Sequence, residues 1–146
     1  MRPVIVALAL VIALALPVWA DSASDIRTLA EQGDAKAQFV LGTMYRDGQG
    51  VGKDPAETLR WWTRSAELGY VDAQFALGNI YSGGFGVPTD YVQSYMWFDI
   101  TAAQTETVWL APIAGSNRDA LVNRMTAAEL SKAKKMAADW IARHRK

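Results

Sequence analysis

The sequence predicts an all-α fold: a short α-solenoid of stacked antiparallel helix hairpins, finished by C-terminal capping helices. Three observations carry this. The chain repeats itself at an offset of 36 residues, its apolar residues recur at helical three- and four-residue steps, and glycines and capping acids return at the same register. The repeat is plainest in "LGTMYRDGQGVGKD" (41–54) and "LGNIYSGGFGVPTD" (77–90). These share Leu41 with Leu77, Gly42 with Gly78, Tyr45 with Tyr81, Gly48 with Gly84, Gly50 with Gly86 and Asp54 with Asp90, plus a common valine.

The first segment, 1–20, stands apart from the fold. "MRPVIVALALVIALALPVWA" has one arginine, an apolar run from Val4 to Leu16, then Pro17 and small Ala20. This is the pattern of a signal peptide cleaved after Ala20. The run is shorter than the ~18–20 apolar residues of a membrane span. The expectation is therefore an exported protein of the bacterial periplasm, with no membrane span once the leader is removed. The chain has no cysteine, which excludes disulfides, thiolate metal sites and a lipid-modified cysteine anchor. Lys and Arg number 15 and so do Asp and Glu, a balance that argues against nucleic acid as a partner.

The repeat then orders the rest. Residues 21–33 read as a partial hairpin helix, because Leu29-Ala30-Glu31-Gln32-Gly33 matches "SAELG" at 65–69. Repeat 1 spans 34–69 and repeat 2 spans 70–105. Each is a helix, a loop and a second helix. In the first helix Ala37, Leu41, Met44 and Tyr45 share a face. Gly48 or Gly84 is expected at its left-handed end, and Gly50 or Gly86 at a further sharp turn. The second helix starts at a capping acid, in Asp54-Pro55-Ala56-Glu57 and again in Asp90-Tyr91-Val92-Gln93. It carries Leu59, Trp61, Trp62 and Ala66 in one copy, and Tyr95, Trp97, Phe98 and Ala102 in the other. Gly42 and Gly78 sit inside helices, where glycine costs about 1 kcal/mol relative to alanine. Their recurrence predicts a close approach of the two helices of each hairpin.

The pattern A-x-x-x-L-G-x-x-Y-x-x-G-x-G-V-x-x-D, followed by Trp61 and "SAELG", resembles the Sel-one-like repeat, a relative of the tetratricopeptide repeat. Residues 37–69 and 73–104 carry the resemblance. It implies a binding protein that is not an enzyme and that serves as an adaptor or scaffold, with no cofactor. The related tetratricopeptide fold lines its concave groove from the first helix of each hairpin. Carried over on the Leu-Gly-Tyr register, those positions are Lys36, Phe39, Thr43 and Arg46, then Asp72, Phe75, Asn79 and Ser82. The implied ligand is a protein partner's peptide or helix. Whether Phe39 and Phe75 belong to the groove or to the core stays open at this point.

Beyond repeat 2 the pattern breaks. Thr105 stands at the glycine register, and 106–116 read as an irregular connection, or a short helical one, with Trp109 and Leu110 against the end of the stack. Residues 117–146 hold the capping helices. The last opens on a capping box, Thr126-Ala127-Ala128-Glu129, and sets Leu130, Met136, Ala137 and Trp140 against a charged face.

Catalytic signals are weak. "GQGVGK" at 48–53 has Asp47 where a phosphate loop needs its first glycine, and it follows a helix rather than a strand. Ser131-x-x-Lys134 lacks the companion motifs of acyl-serine enzymes. The single histidine, His144, falls in a tail expected to fray. The alternative function is a cell-wall glycan contact through Trp109, which among the tryptophans after the expected leader lies outside the repeat-core registers and the capping helix.

Overall fold

The computed structural model describes residues 18–104 and 108–145. The segment expected as a leader falls almost wholly outside the described residues. Among them are seven α-helices: α1 (Val18–Glu31), α2 (Ala35–Asp47), α3 (Pro55–Glu67), α4 (Val71–Tyr81), α5 (Tyr91–Ala102), α6 (Leu110–Leu121) and α7 (Ala127–His144). A 3-10 turn, Val122–Arg124, joins the last two. The helices α2/α3 and α4/α5 form the two hairpins. They stack through α3 on α4, with α1 against α2 at one end and both α6 and α7 against α5 at the other. No helix among the described residues is long and apolar enough to cross a membrane.

Caps start the helices where the sequence puts them. The Asp54 carboxylate accepts from the backbone N–H groups of Ala56 and Glu57 at 2.9 and 3.1 Å, and Asp90 accepts from Gln93 at 3.0 Å. The box at α7 is complete: Glu129 N–H donates to Thr126 Oγ1, and Thr126 N–H donates to the Glu129 carboxylate. Glu57 does not close the equivalent box at α3. Its carboxylate accepts instead from Trp61 Nε1 at 3.1 Å and from Arg60. The buried indole needs an acceptor more than the exposed helix end does.

The helical glycines are explained by aromatic rings. A Cβ on Gly42 would lie 2.4 Å from Cδ1 of Trp62, and one on Gly78 would lie 2.5 Å from the ring of Phe98. In each hairpin the second helix sets an aromatic face directly on the backbone of the first. Leu41, Trp61, Trp62, Ala66, Leu77, Trp97 and Phe98 are buried around these contacts, while Tyr45, Tyr81 and Ala102 are half-buried.

Two expectations are corrected. Gly84 does not end α4 in a left-handed conformation. The helix stops at Tyr81 with Ser82 still right-handed, and the left-handed residues are Gly83 (φ 125°), Phe85 (φ 52°) and Gly86 (φ 70°). Gly48 behaves as expected at φ 72°. Copy two has glycine at 83 where copy one has Asp47, so its chain can turn away sooner. Residues 110–116, expected to be an irregular or short helical connection, are the opening turns of a longer helix, α6. Pro112 is tolerated because it sits in the first turn, where backbone N–H groups have no intrahelical acceptor.

The C-terminal tail is also more ordered than expected. The His144 ring stacks on Trp140 at 3.7 Å between centroids, with only 10° between planes. Its Nε2 lies 2.9 Å from the Glu67 carbonyl oxygen, while Trp140 Nε1 donates to the Glu67 carboxylate at 3.1 Å. One turn of helix brings residues 140 and 144 onto one face, and that face closes on the end of α3.

Candidate functional site

An open cleft of about 480 Å³ runs across the first-helix side of the solenoid. Helix α2 contributes Phe39 and Arg46, and the Trp62 ring of α3 shows between them. Helix α4 supplies the floor with Asp72, Phe75, Ala76, Asn79 and Ile80. Phe85 closes one side from the loop after α4, and Trp109 and Leu110 close another from the start of α6. The α6 position, which sequence periodicity did not reach, thus completes the row begun by α2 and α4.

Five of the eight expected groove residues line this cleft: Phe39, Arg46, Asp72, Phe75 and Asn79. Lys36, Thr43 and Ser82 do not. Thr43 Oγ1 donates back to the Phe39 carbonyl at 2.9 Å, and Ser82 Oγ donates to the Asn79 carbonyl at 2.8 Å, so each hydroxyl serves its own helix. Lys36 is exposed away from the cleft lining.

Phe39 and Phe75 face two ways. Both are half-buried. Phe39 stacks on Trp62 at 5.8 Å and tilts against Tyr70 at 5.4 Å, while Phe75 tilts against Phe98 at 5.7 Å. Each ring therefore braces a hairpin with one face and presents the other to the cleft. Packing holds the rings before any ligand arrives, which lowers the conformational entropy lost on binding.

The cleft's charges are unequally satisfied. Arg46 donates to Asp47 through Nε at 2.7 Å and Nη2 at 3.0 Å, and its guanidinium lies 5.6 Å from the Trp62 ring centre. The hydrogen bond from Arg46 holds the Asp47 carboxyl below the usual carboxylate range. Asp72 has no ion pair among the described residues. Its partner is the Tyr70 hydroxyl, whose pKa is raised first by burial, then by the Asp72 charge and by the hydrogen bond it makes to the Asp72 carboxylate.

Two features escaped sequence reasoning. Phe85 replaces Gln49 of copy one, and that polar-to-aromatic change within a glycine loop was a usable signal. Trp109 was assigned to a separate glycan site, yet the fold brings it into the same cleft as Phe39 and Phe75. No group of His, Cys, Asp and Glu able to hold a metal ion occurs among the described residues.

The comparisons with known proteins agree with this architecture. A family model described as the Sel1 repeat matches residues 35–70 and 71–105. The chain is similar to a crystal structure of a protective antigen present in uropathogenic Escherichia coli strains that displays an SLR fold, with a TM-score of 0.74 and 33% identity. That match covers 84% of this chain and 26% of the antigen, so the chain spans about a quarter of the larger protein's length. It is also similar to a Sel1 repeat protein from Oxalobacter formigenes, with a TM-score of 0.50, 27% identity, and 82% and 98% of the two chains covered. No curated protein matches the chain.

Proposed function

We propose that this chain, which is a Sel1 repeat (SLR) family protein, is an exported interaction module that holds a peptide or helix of a protein partner in the cleft formed by α2, α4 and α6. Sel1 repeats generally mediate protein interactions, and the SLR scaffold is typically non-catalytic. The carrying observation is an exposed aromatic lining. Trp109 is 67% exposed and Phe85 38% exposed, and they share one cleft with the outer faces of Phe39 and Phe75. Covering apolar surface contributes roughly 25 cal/mol per Å² removed from water, and aromatic anchors in a preformed groove are the usual centres of binding energy. The cleft draws its lining from three successive elements and is open rather than enclosed, which suits a chain segment better than an enclosed small molecule. The apolar leader at 1–20 supports export, and fractionation of cells expressing the full chain tests it: periplasmic recovery is expected, cytoplasmic recovery overturns it.

The test of the cleft is photo-crosslinking in cells. A photoreactive amino acid at Trp109 or Phe75 should give a discrete protein adduct, while one at Lys53, on the loop of repeat 1, should give none. The captured protein, once purified, should bind the wild-type chain and lose at least about tenfold in affinity for Trp109→Ala. No adduct at either cleft position in a protein whose circular dichroism is that of a folded helical chain overturns the assignment. A second reading, contact with cell-wall glycan, rests on the exposed Trp109 ring beside the polar Asn79 and Asp72, since aromatic faces stack on sugars. Adducts of muropeptide mass, with no protein adduct, would favour that reading.

A further inference from the structure

The same cleft has a charge preference, and we infer that its occupant is a protein segment presenting a lysine or arginine beside an apolar or aromatic residue. This inference rests on the interaction-module reading and goes beyond it in stating the chemistry of the partner.

The argument starts from the cleft's two ends. Arg46 brings a positive charge, but Asp47 accepts two hydrogen bonds from it, at 2.7 and 3.0 Å, and Trp62 lies beneath the guanidinium at 5.6 Å. At that end opposite charges stand side by side, so its net charge is close to zero. Asp72 brings a negative charge from the first turn of α4; the Tyr70 hydroxyl hydrogen-bonds to it, but no Lys or Arg pairs with it among the described residues. The open charge of the cleft is thus a carboxylate, set beside the rings of Phe39 and Phe75.

That pairing selects a particular kind of side chain. Lysine and arginine carry a cation on an apolar stem of three or four methylene groups, which can lie along an aromatic wall while the head reaches a carboxylate. The aromatic rings add attraction for the cation itself. A carboxylate-bearing segment would place like charge against Asp72, at a cost that selects against it. A wholly apolar segment would strip water from Asp72 without replacing it.

A second observation points to the same cleft. Phe85 holds φ at 52°, a left-handed conformation that a bulky residue adopts only under constraint. Its ring lines the cleft and remains 38% exposed. Such strain concentrates at ligand clamps. Here it holds an aromatic ring at the cleft edge, where an apolar neighbour of the bound cation would rest.

The experiment selects ligands from a random twelve-residue peptide library displayed on phage, against the immobilised full chain, with synthetic copies of the selected peptides measured by fluorescence anisotropy. Selected peptides should be enriched in lysine or arginine next to an aromatic or large aliphatic residue. Asp72→Asn should weaken them about tenfold, and Asp72→Lys should turn the preference towards peptides carrying glutamate at that place. Circular dichroism checks that both variants remain folded, and Trp109→Ala should weaken every peptide. Peptides that bind and depend on Trp109, yet carry no basic residue and ignore Asp72→Asn, overturn the charge inference and leave the module reading standing. If no peptide is selected and muropeptides bind the chain in a Trp109-dependent way instead, both readings fail together.

Discussion

The two hairpins are the same object at their cores and different objects at their loops. In both, a second-helix aromatic ring lies on a first-helix glycine: Trp62 on Gly42 and Phe98 on Gly78. In both, a buried glutamine reaches back to the preceding helix, Gln38 Nε2 donating to the Ala30 carbonyl at 3.0 Å and Gln74 Nε2 to the Ala66 carbonyl at 3.2 Å. In both, the loop closes by a backbone bond, Asp54 N–H to the Tyr45 carbonyl and Asp90 N–H to the Tyr81 carbonyl. The loops then part. Copy one leaves its helix through left-handed Gly48 and puts polar, exposed Gln49 at its tip, whereas copy two leaves through Gly83 and puts a strained Phe85 into the cleft. The hairpin core records how units stack, and the loop is free to record what they touch.

The strongest way to break the first half of this comparison is to fill the glycine sites. Gly42→Val and Gly78→Val should each destabilise the protein by about 3 kcal/mol, since a side chain there displaces a packed aromatic ring. Similar losses of melting temperature in the two variants are expected. A large loss in only one would show that the two interfaces are not equivalent.

The loops should respond in opposite ways. Phe85→Gly removes a non-glycine residue from the left-handed region and should raise stability by about 1 kcal/mol, because that strain is of order 1–2 kcal/mol. It should also weaken ligand binding by removing one wall of the cleft. Gln49→Gly, at the same register of copy one, relieves no such strain and should change neither stability upward nor binding. Thermal melts and peptide titrations of the two variants make the contrast.

A smaller difference lies within the glutamine pair. Gln74 Oε1 accepts from Gln104 Nε2 at 2.9 Å, but Gln38 Oε1 is buried with no hydrogen-bond partner among the described residues. Leu68 holds the register of Gln104 in copy one and is 57% exposed. Leu68→Gln should supply the missing donor and stabilise the protein by about 1 kcal/mol, the usual worth of satisfying such a group. An unchanged urea midpoint would mean that the new amide does not reach Gln38.

The smallest effect belongs to the Arg46–Asp47 pair. Asp47→Asn should cost less than about 0.5 kcal/mol, as exposed pairs do. Because Arg46 lowers the Asp47 pKa below its ordinary value of 3.8, the pair's contribution is present above that value and is lost as pH falls through the lowered folded one. The wild-type and Asp47→Asn proteins should therefore differ at neutral pH and converge in strong acid, as measured by denaturant unfolding across pH.

The sequence by itself determined the repeat, its period, the helix starts at Asp54, Asp90 and Thr126, and the need for glycine at 42 and 78. These are local or periodic facts: a cap bonds within three residues, and a stacking position must recur wherever the stack recurs. Five of the cleft-lining positions were legible for the same reason, because one helix face repeats. Only the tertiary structure decided that Trp109 belongs with them, that a full helix, α6, rather than a short link follows repeat 2, and that His144 packs on the end of α3. It also decided that Phe85 leans into the cleft and that Asp72 is left without a cation. Those facts depend on side chains brought together from distant parts of the chain, by segments that lie outside the period, and no spacing along the sequence encodes them.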